Sequence, residues 1–420
     1  MRIETLVFQN FRCIRSLRLD FHPQMNIFVG VNGAGKSSVL DCLAVMLSRF
    51  VGRIRSTALT GRFFTPSDIT LGVGFTANTI RVTLDWDSSE SHLEWALTRQ
   101  RKKEAPQTLY RFREMIAFAK KLRAQLEEQD TLNIPLTLYY PVNRAVLDIP
   151  LRIRKKHIFE QLSAYDQALS GQRNDFRLFF EWFRVREDLE NERRVRDPKY
   201  RDRQIEAVRK AVEGFLPGFE DLRVQRSPLR MTIQKEGLEL AVNQLSDGEK
   251  CLLAMVGDLA RRLAIANPSL TDPLLGKGVV LIDEVDLHLH PSWQRMVVPL
   301  LETTFPECQF VLTTHSAQVL SHVQDVESVF LLRISDEGIS ADHPESVYGL
   351  DSNRILEDIM DVPSRPEEIK GLMEALFERI ARGELVAARA QLQQLKGKVR
   401  DDPELVKAEV LIRRMETASR

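Results

Sequence analysis

The sequence predicts an α/β protein built around a parallel sheet, and three observations lead to this class. Gly278–Ile282 and Gln309–Thr313 are apolar runs of the kind found in strands buried on both faces of a parallel sheet. A third run, Met25–Val29, ends at a glycine-rich loop, after which apolar residues recur at helical spacing. The 420 residues, 43% of them hydrophobic, are enough to bury a sizeable core of this kind.

The elements before and after that loop read as antiparallel strands. Apolar and polar residues alternate at short period from Arg2 to Asp20, which predicts two strands joined around Asn10-Phe11-Arg12. More hairpin strands are predicted within Thr70–Trp95, where the alternation is clearest in Ile80–Leu84.

The rest of the chain is predicted to be mainly helical outside the core strands. Residues 99–240 are densely charged and predict a helical lobe, interrupted by one strand at Leu136–Tyr140. Residues 348–420 show helical spacing only, with one helix ending at Gly383 and another opening at Asp402-Pro403. The last three helices could form a small bundle.

Composition limits the partners and the compartment. The 59 basic and 59 acidic residues give a net charge of zero, so a DNA contact would need a local patch. Arginines between Arg184 and Arg203 could form such a patch, but acidic residues interleave with them and favour an ion-paired helical face. Four scattered cysteines, no signal-peptide apolar region and no membrane-length apolar run predict a cytoplasmic protein without a membrane span.

The glycine-rich loop carries the first chemical signal. Gly30–Ser37 matches the phosphate-binding pattern GxxxxGK[ST], placed between a predicted strand and a predicted helix as that motif requires. Its glycines let backbone amides wrap a phosphate, Lys36 would reach the β- and γ-phosphate oxygens, and Ser37 would ligate Mg²⁺. The loop residues expected to contact the nucleotide are Gly30, Asn32, Gly33, Gly35, Lys36, Ser37 and Ser38.

The strand Gly278–Ile282 supplies the second signal, two carboxylates at its carboxyl end. Open α/β sheets bind ligands at that edge. Asp283 would hold Mg²⁺, directly or through water, and Glu284 would polarise the attacking water as general base. That role typically contributes about 10²–10⁴-fold to a rate.

The segment Leu245–Lys250 supplies a third signal. Ser246, Gly248 and the amides opening the next helix predict a second anion-binding helix start, although Ser-Asp-Gly-Glu alone is also a good helix N-cap. Together with the phosphate loop and the Asp-Glu strand, this segment resembles the signature motif of ABC-type ATPases. The resemblance implies that Ser246 contacts the γ-phosphate of ATP bound by a partner protomer.

Other motifs fit the same resemblance. His315, in Thr313–Ser316, resembles the switch histidine that senses the γ-phosphate. Asp283–Pro291 resembles the DEPExHLHP segment of the OLD and RecF-like branch; its His288 and His290 could suggest zinc, but a dimer-contact loop is the preferred interpretation.

Two further features concern the same branch. Asn10-Phe11-Arg12 and Asn32 are typical of its chromosome-maintenance and RecF members and imply that Arg12 lies against the nucleotide base or phosphate. The glutamine that usually completes the Mg²⁺ shell has no clear counterpart. Pro141–Arg144 occupies a plausible place, and the role stays unassigned.

The implied fold is an ABC ATPase head, in which an antiparallel β subdomain and a parallel core sheet carry an inserted helical lobe and a C-terminal helical tail. The implied divisions are 1–98 with the phosphate loop, 99–240 as the lobe, 241–347 with the signature, Asp-Glu and switch motifs, and 348–420 as a helical partner-binding region. The tail, Tyr348–Leu356 followed by helices through Met415, is similar to that of ATPases of the PtuA type from Septu and retron-associated antiphage systems.

This resemblance implies an ATPase that forms a homodimer or higher homo-oligomer around ATP and regulates a separate HNH nuclease in antiphage defence. One alternative is a RecF-like repair ATPase that binds duplex DNA. A transporter's nucleotide subunit is a third class, disfavoured because Cys251–Ala254 lacks the Gln/Arg-rich continuation usual there.

Overall fold

The computed structural model describes residues 1–58, 60–86, 89–101, 112–129, 131–142, 159–171, 176–336, 338–399 and 402–418. The chain forms two compact units, Met1–Ser352 and Asn353–Arg420. None of the helices in these ranges combines the length and the apolar character needed to cross a membrane.

The described strands are β1 (Arg2–Phe11), β2 (Ile14–Asp20), β3 (Met25–Val29), β4 (Phe75–Trp86), β5 (Ser89–Gln100), β6 (Leu136–Tyr140), β7 (Phe219–Arg226), β8 (Leu229–Lys235), β9 (Leu238–Ala241), β10 (Gly278–Ile282), β11 (Cys308–Thr313), β12 (Val329–Ser335) and β13 (Gly338–Asp342). The described α-helices are α1 (Lys36–Arg55), α2 (Arg113–Glu128), α3 (Phe176–Arg194), α4 (Arg203–Phe215), α5 (Asp247–Ala266), α6 (Pro291–Thr304), α7 (Ala317–Leu320), α8 (Ser352–Arg354), α9 (Glu367–Ala381), α10 (Leu385–Lys398) and α11 (Pro403–Ala418).

The predicted parallel core is present as a six-stranded sheet in the order β13-β12-β3-β11-β10-β6. Only the outer pair β12/β13 runs antiparallel. Strands β3, β6, β10 and β11 are buried along their whole length, which explains why their sequences read as continuous apolar runs. Because Thr313 pairs with Phe28 and Ile282 with Leu312, the carboxyl ends of three strands meet at one edge.

The predicted hairpin strands form a four-stranded antiparallel sheet in the order β2-β1-β4-β5. A buried glutamine joins this sheet to the parallel one. The backbone N–H of Ile3 donates to Oε1 of Gln309 (2.6 Å), and Nε2 of Gln309 donates to the carbonyl of Ile3 (3.0 Å). The antiparallel sheet is therefore fixed against β11, at the core of the molecule.

The description of residues 99–240 as a helical lobe with one strand is wrong at its end, where β7, β8 and β9 form a third sheet. The alternation there is real, since Phe219, Leu222 and Val224 of β7 are buried while charged residues take the other face. The dense charge suggested a helix, but charged residues of these strands form ion pairs, one of them within the sheet between Arg223 and Glu239 (3.2 Å).

The second unit contains the predicted bundle of the last three helices. Helices α9, α10 and α11 pack around a core that includes Leu376, Leu395 and Ala408. Gly383, at φ 77°, follows α9 as the left-handed residue that ends a helix.

Candidate active site

Three of the predicted motifs meet in one cavity at the carboxyl edge of the parallel sheet. Its volume is about 270 Å³. The lining residues are Cys13, Asn32, Gly33, Gly35, Lys36, Ser37, Ser38, Glu284, Thr313 and His315. The fold therefore brings the phosphate loop together with the Asp-Glu strand and the histidine of the next strand, although both follow it in the chain by more than 240 residues.

The phosphate loop is shaped by left-handed glycines. Gly33 and Gly35 have φ of 84° and 94°, a region that residues with a Cβ rarely adopt. Gly35 is the N-cap of α1, and within the described chain no side chain caps that helix start. The first amides of α1, at the positive end of the helix dipole, therefore face the cavity.

Lys36, the first residue of α1, bends back over this loop. Its Nζ donates to the carbonyl oxygens of Gly30 (2.7 Å) and Val31 (3.1 Å). Burial lowers the pKa of Lys36, and the nearby carboxylates of Asp283, Glu284 and Asp286 partly offset this effect. The ammonium group is thus desolvated and surrounded by acceptors, as expected for a group that binds phosphate.

Ser37 and Asp283 share one end of the cavity. Ser37 Oγ donates to Oδ1 of Asp283 (3.1 Å), and Thr313 Oγ1 donates to the same oxygen (2.5 Å). A hydroxyl oxygen and a carboxylate oxygen this close together are the hard oxygen ligands that Mg²⁺ prefers. The two residues predicted to hold the ion therefore fit it.

Glu284 is held in an unusual backbone conformation at the end of β10. Its φ is 49°, and its N–H donates to Thr313 Oγ1 (2.7 Å). A left-handed φ is strained for a non-glycine residue and persists only where the surrounding structure enforces it. Such residues cluster at functional sites. In this backbone conformation the Glu284 side chain lines the cavity.

His315 is exposed and also lines the cavity, and the loop after Glu284 fixes its backbone. Asp286 Oδ1 accepts hydrogen bonds from the His315 N–H (3.3 Å) and from the hydroxyl of Thr314. The loop interpreted above as a dimer contact is thus hydrogen-bonded directly to the predicted switch residue.

Arg12 and Gly30 are not among the described lining residues of the cavity. Arg12 pairs with Asp41 of α1 (2.7 Å) and with Asp68 (2.9 Å). Burial alone would lower the Arg12 pKa, but the hydrogen bonds and charges of these two aspartates raise it. Gly30, at φ 155°, lies so close to β12 that an added Cβ would be 2.4 Å from the carbonyl oxygen of Leu332.

The signature segment also lies apart from this cavity, whose described lining does not include Ser246 or Gly248. Ser246 is exposed and is the N-cap of α5, in a capping box with Glu249. Gly248 packs against the loop after β10, where a Cβ would be 2.6 Å from the carbonyl oxygen of His288. The start of α5 and the loop that holds His315 are therefore in contact within one chain.

The last two residues of β6 connect the sheet to two helices. The hydroxyl of Tyr139 donates to Asp41 of α1 (3.2 Å), and that of Tyr140 donates to Asp258 of α5 (3.2 Å). Asp258 also accepts from the buried Arg261 (2.6 Å) and Arg262 (2.8 Å). Burial acts to raise the Asp258 pKa, but the charges of Arg262 and Arg261 outweigh it and lower the pKa to about 2.

The remaining predicted features have structural roles in this fold. His290 is the N-cap of α6, where its Nδ1 accepts from the Ser292 N–H (3.4 Å). The arginine-rich region is ion-paired, as in Arg194 with Glu190 (2.6 Å). Pro141 is described, whereas Asn143 and Arg144 of the same candidate segment lie outside the described residues.

Sequence reasoning missed three residues that hold the site together, namely Thr313, Asp286 and Lys235. Thr313 links Asp283 and Glu284, and a polar residue ending an apolar strand beside His315 was the available signal. Asp286 was visible inside the quoted motif, but nothing in its spacing indicated a bond to the His315 backbone. Lys235 pairs with Glu249 (2.6 Å) from a strand that the sequence did not reveal.

Comparison with known proteins identifies several relatives. The family model described as "AAA domain, putative AbiEii toxin, Type IV TA system" matches residues 25–321. The "Retron Ec83 probable ATPase" of Escherichia coli is 30% identical, over 88% of this chain and 78% of that protein. The "Retron Vc95 probable ATPase" of Vibrio cholerae serotype O1 biovar El Tor is also 30% identical, over 91% and 84%.

Two further similarities are more distant. The "Septu protein PtuA" of Bacillus thuringiensis is 23% identical, over 90% of this chain and 88% of that protein. Among solved structures, the SMC head domain from Thermotoga maritima aligns with 82% of this chain and 100% of its own, at 16% identity and a TM-score of 0.44.

Proposed function

This chain belongs to the AAA-domain family whose model matches residues 25–321 and to the retron-associated ATPases, and we propose that it is an ATP-driven homodimer controlling a separate nuclease in antiphage defence. The chain is an ATPase with a parallel-sheet core. The proposal concerns how its residues divide the work, how many copies are needed and what the hydrolysis regulates.

The residues of the cavity have complementary roles in this proposal. The amides of Gly33 to Ser38 and the ammonium of Lys36 bind the triphosphate, since both present positive charge to the same cavity. Glu284 takes a proton from the attacking water, and His315, which lines the same cavity, contacts the γ-phosphate. Removing a general base lowers a rate by about 10²–10⁴-fold, so Glu284 accounts for a large part of catalysis.

Ser37 and Asp283 hold Mg²⁺ in this scheme, because their oxygens converge within 3.1 Å. When bound, the ion neutralises charge on the phosphates during hydrolysis. Thr313 orients Asp283 and Glu284, since its hydroxyl donates to the Asp283 carboxylate and accepts from the Glu284 N–H.

The requirement for two copies is supported by one observation above all: the exposed signature start is separate from the cavity in its own chain. In the proposed assembly Ser246 and Gly248 of one copy meet the triphosphate held by Lys36 and Ser37 of the other. ATP then stabilises the pair by binding both copies, and hydrolysis releases them.

The biological role rests on the relatives. Retron and Septu proteins match this chain over most of its length, and this similarity supports a role in antiphage defence. We assign the helical unit Asn353–Arg420 the task of binding a separate HNH nuclease, so that ATP-dependent changes between the copies reach the nuclease.

Sedimentation of purified variants tests the two-copy scheme. Glu284→Gln should bind ATP with little change, lose hydrolysis and accumulate as a dimer when ATP is added. Ser246→Arg should bind ATP equally well but stay monomeric and inactive. Unchanged hydrolysis in a monomeric Ser246→Arg protein would refute the scheme.

A second experiment separates the nuclease partner from direct DNA binding. We expect the chain to co-purify with a small HNH protein when the two are expressed together, and a truncation before Asn353 should abolish this. ATP-dependent binding to duplex DNA without any nuclease partner would instead support the RecF-like alternative.

A further inference from the structure

The donor groups of Ser246 are engaged by a carboxylate of its own helix. The Ser246 N–H donates to Glu249 Oε2 (2.9 Å), and the Ser246 hydroxyl donates to the same oxygen (2.8 Å). A serine hydroxyl carries one proton, so it cannot donate to this carboxylate and to a phosphate at once. In this arrangement Glu249 occupies the donors that a γ-phosphate would use.

The other oxygen of Glu249 is paired with a residue from the third sheet. Lys235 Nζ donates to Glu249 Oε1 (2.6 Å) from the end of β8, and it lies 5.4 Å from the centre of the Phe219 ring. Burial would raise the Glu249 pKa, but the bonds from Lys235 and Ser246 lower it. Lys235 and Glu249 therefore form an ion pair without net charge beside Ser246.

We propose that Lys235 and Glu249 are positioning residues that set how readily Ser246 engages the triphosphate of a second copy. The inference deepens the two-copy function proposed above and rests on it. Glu249 competes with the phosphate for the Ser246 donors, and its negative charge repels the phosphate. Lys235 neutralises that charge and holds the carboxylate on the side of β8.

The two residues should therefore have opposite effects when changed. Glu249→Gln removes the negative charge but keeps the helix start, because glutamine also completes a capping box. Lys235→Met keeps the length of the side chain and leaves the carboxylate without its counter-charge. The first change should favour the ATP-bound dimer and the second should oppose it.

The test measures the ATP concentration that gives half-maximal dimer, by sedimentation, with Glu284→Gln as the parent that does not turn over. Glu249→Gln should lower this concentration by about tenfold, the size expected for one charge-assisted hydrogen bond. Lys235→Met should raise it by about tenfold. The double variant should behave like Glu249→Gln alone. Once the Glu249 carboxylate is gone, the loss of the Lys235 charge leaves no negative charge unpaired.

The double variant separates this proposal from a purely structural role. If Lys235 acts only through packing of its sheet, the double variant will stay as defective as Lys235→Met. Lys210→Met serves as control, since it removes a surface charge that pairs with Asp272 rather than with Glu249 and should leave dimerisation unchanged.

Shifts in the same direction for both single variants, or no suppression in the double variant, would overturn the proposal while leaving the two-copy function intact. A Glu284→Gln parent that binds ATP but never dimerises would overturn the two-copy function, and this inference with it. The two failures are therefore distinguishable in one set of measurements.

Discussion

The starts of α1 and α5 serve the same proposed ligand but are built differently. The start of α1 follows Gly35 and has no side-chain cap in the described chain, so its amides face the cavity directly. The start of α5 has Ser246 and Glu249 in a complete capping box, tied to Lys235. The amides at the start of α1 can therefore contact a phosphate without breaking a side-chain cap. Ser246 at the start of α5 must first release its hydrogen bonds to Glu249.

Removing the cation at the first start should have the largest effect on ATP binding. Lys36→Ala leaves no ammonium for the triphosphate, and its position inside the cavity allows no nearby described lysine or arginine to replace it. ATP affinity should fall about 100-fold or more, since a desolvated charge contact to phosphate is lost. Equilibrium binding of a fluorescent ATP analogue checks this, and a change below threefold would contradict our view of α1.

The first start was predictable from sequence and the second only in part. The residues Gly30–Ser37 are adjacent in the sequence, so the motif and its context predicted the strand, the loop and the helix that the structure contains. The control of Ser246 depends on Lys235, which reaches it from a sheet whose strands were hidden by their charge. Bonds such as Asp286 to the His315 backbone are likewise tertiary, and no local pattern reports them.

The middle of α5 provides a second way to test the comparison. Asp258→Asn should destabilise the protein by about 3–5 kcal/mol, because two buried arginines lose their counter-charge. Chemical denaturation measures this directly. Asp286→Asn, in a more accessible loop, serves as the comparison variant and should cost clearly less stability.

The same residue predicts a pH dependence with a definite sign. The folded-state pKa of Asp258, about 2, lies below its ordinary value of 3.8, so its contribution is complete above about pH 4 and is lost as pH falls towards 2. The free energy of unfolding should therefore drop over that window in the wild type. Asp258→Asn should lack this component, and equal slopes in both proteins would contradict it.

A smaller effect is expected at Gly248. Its Cβ would meet the His288 carbonyl oxygen at 2.6 Å, so Gly248→Ala must displace the loop that also holds His315. The turnover number should fall several-fold more than ATP affinity does. Gly371→Ala, in a helix where nothing lies within 4 Å of the added Cβ, should be neutral or slightly stabilising.

The smallest effect on the free energy of unfolding is expected from the N-cap Ser246. Ser246→Ala should lower the free energy of unfolding by about 1 kcal/mol, as N-cap removal usually does. Ser246→Thr should largely restore it, because threonine retains the hydroxyl. A loss of stability with alanine that threonine does not repair would mean that the exposed start of α5 is held by other contacts.

The two tyrosines that end β6 each form a hydrogen bond to a different helix, Tyr139 to α1 and Tyr140 to α5. Neighbouring residues of a strand point to opposite faces, so Tyr139 reaches Asp41 on one side while Tyr140 reaches Asp258 on the other. Rotation or sliding of either helix would stretch a hydrogen bond to one of these two adjacent side chains. The end of β6 therefore helps to set the distance between α1 and α5, whose starts are the two proposed triphosphate contacts of one subunit.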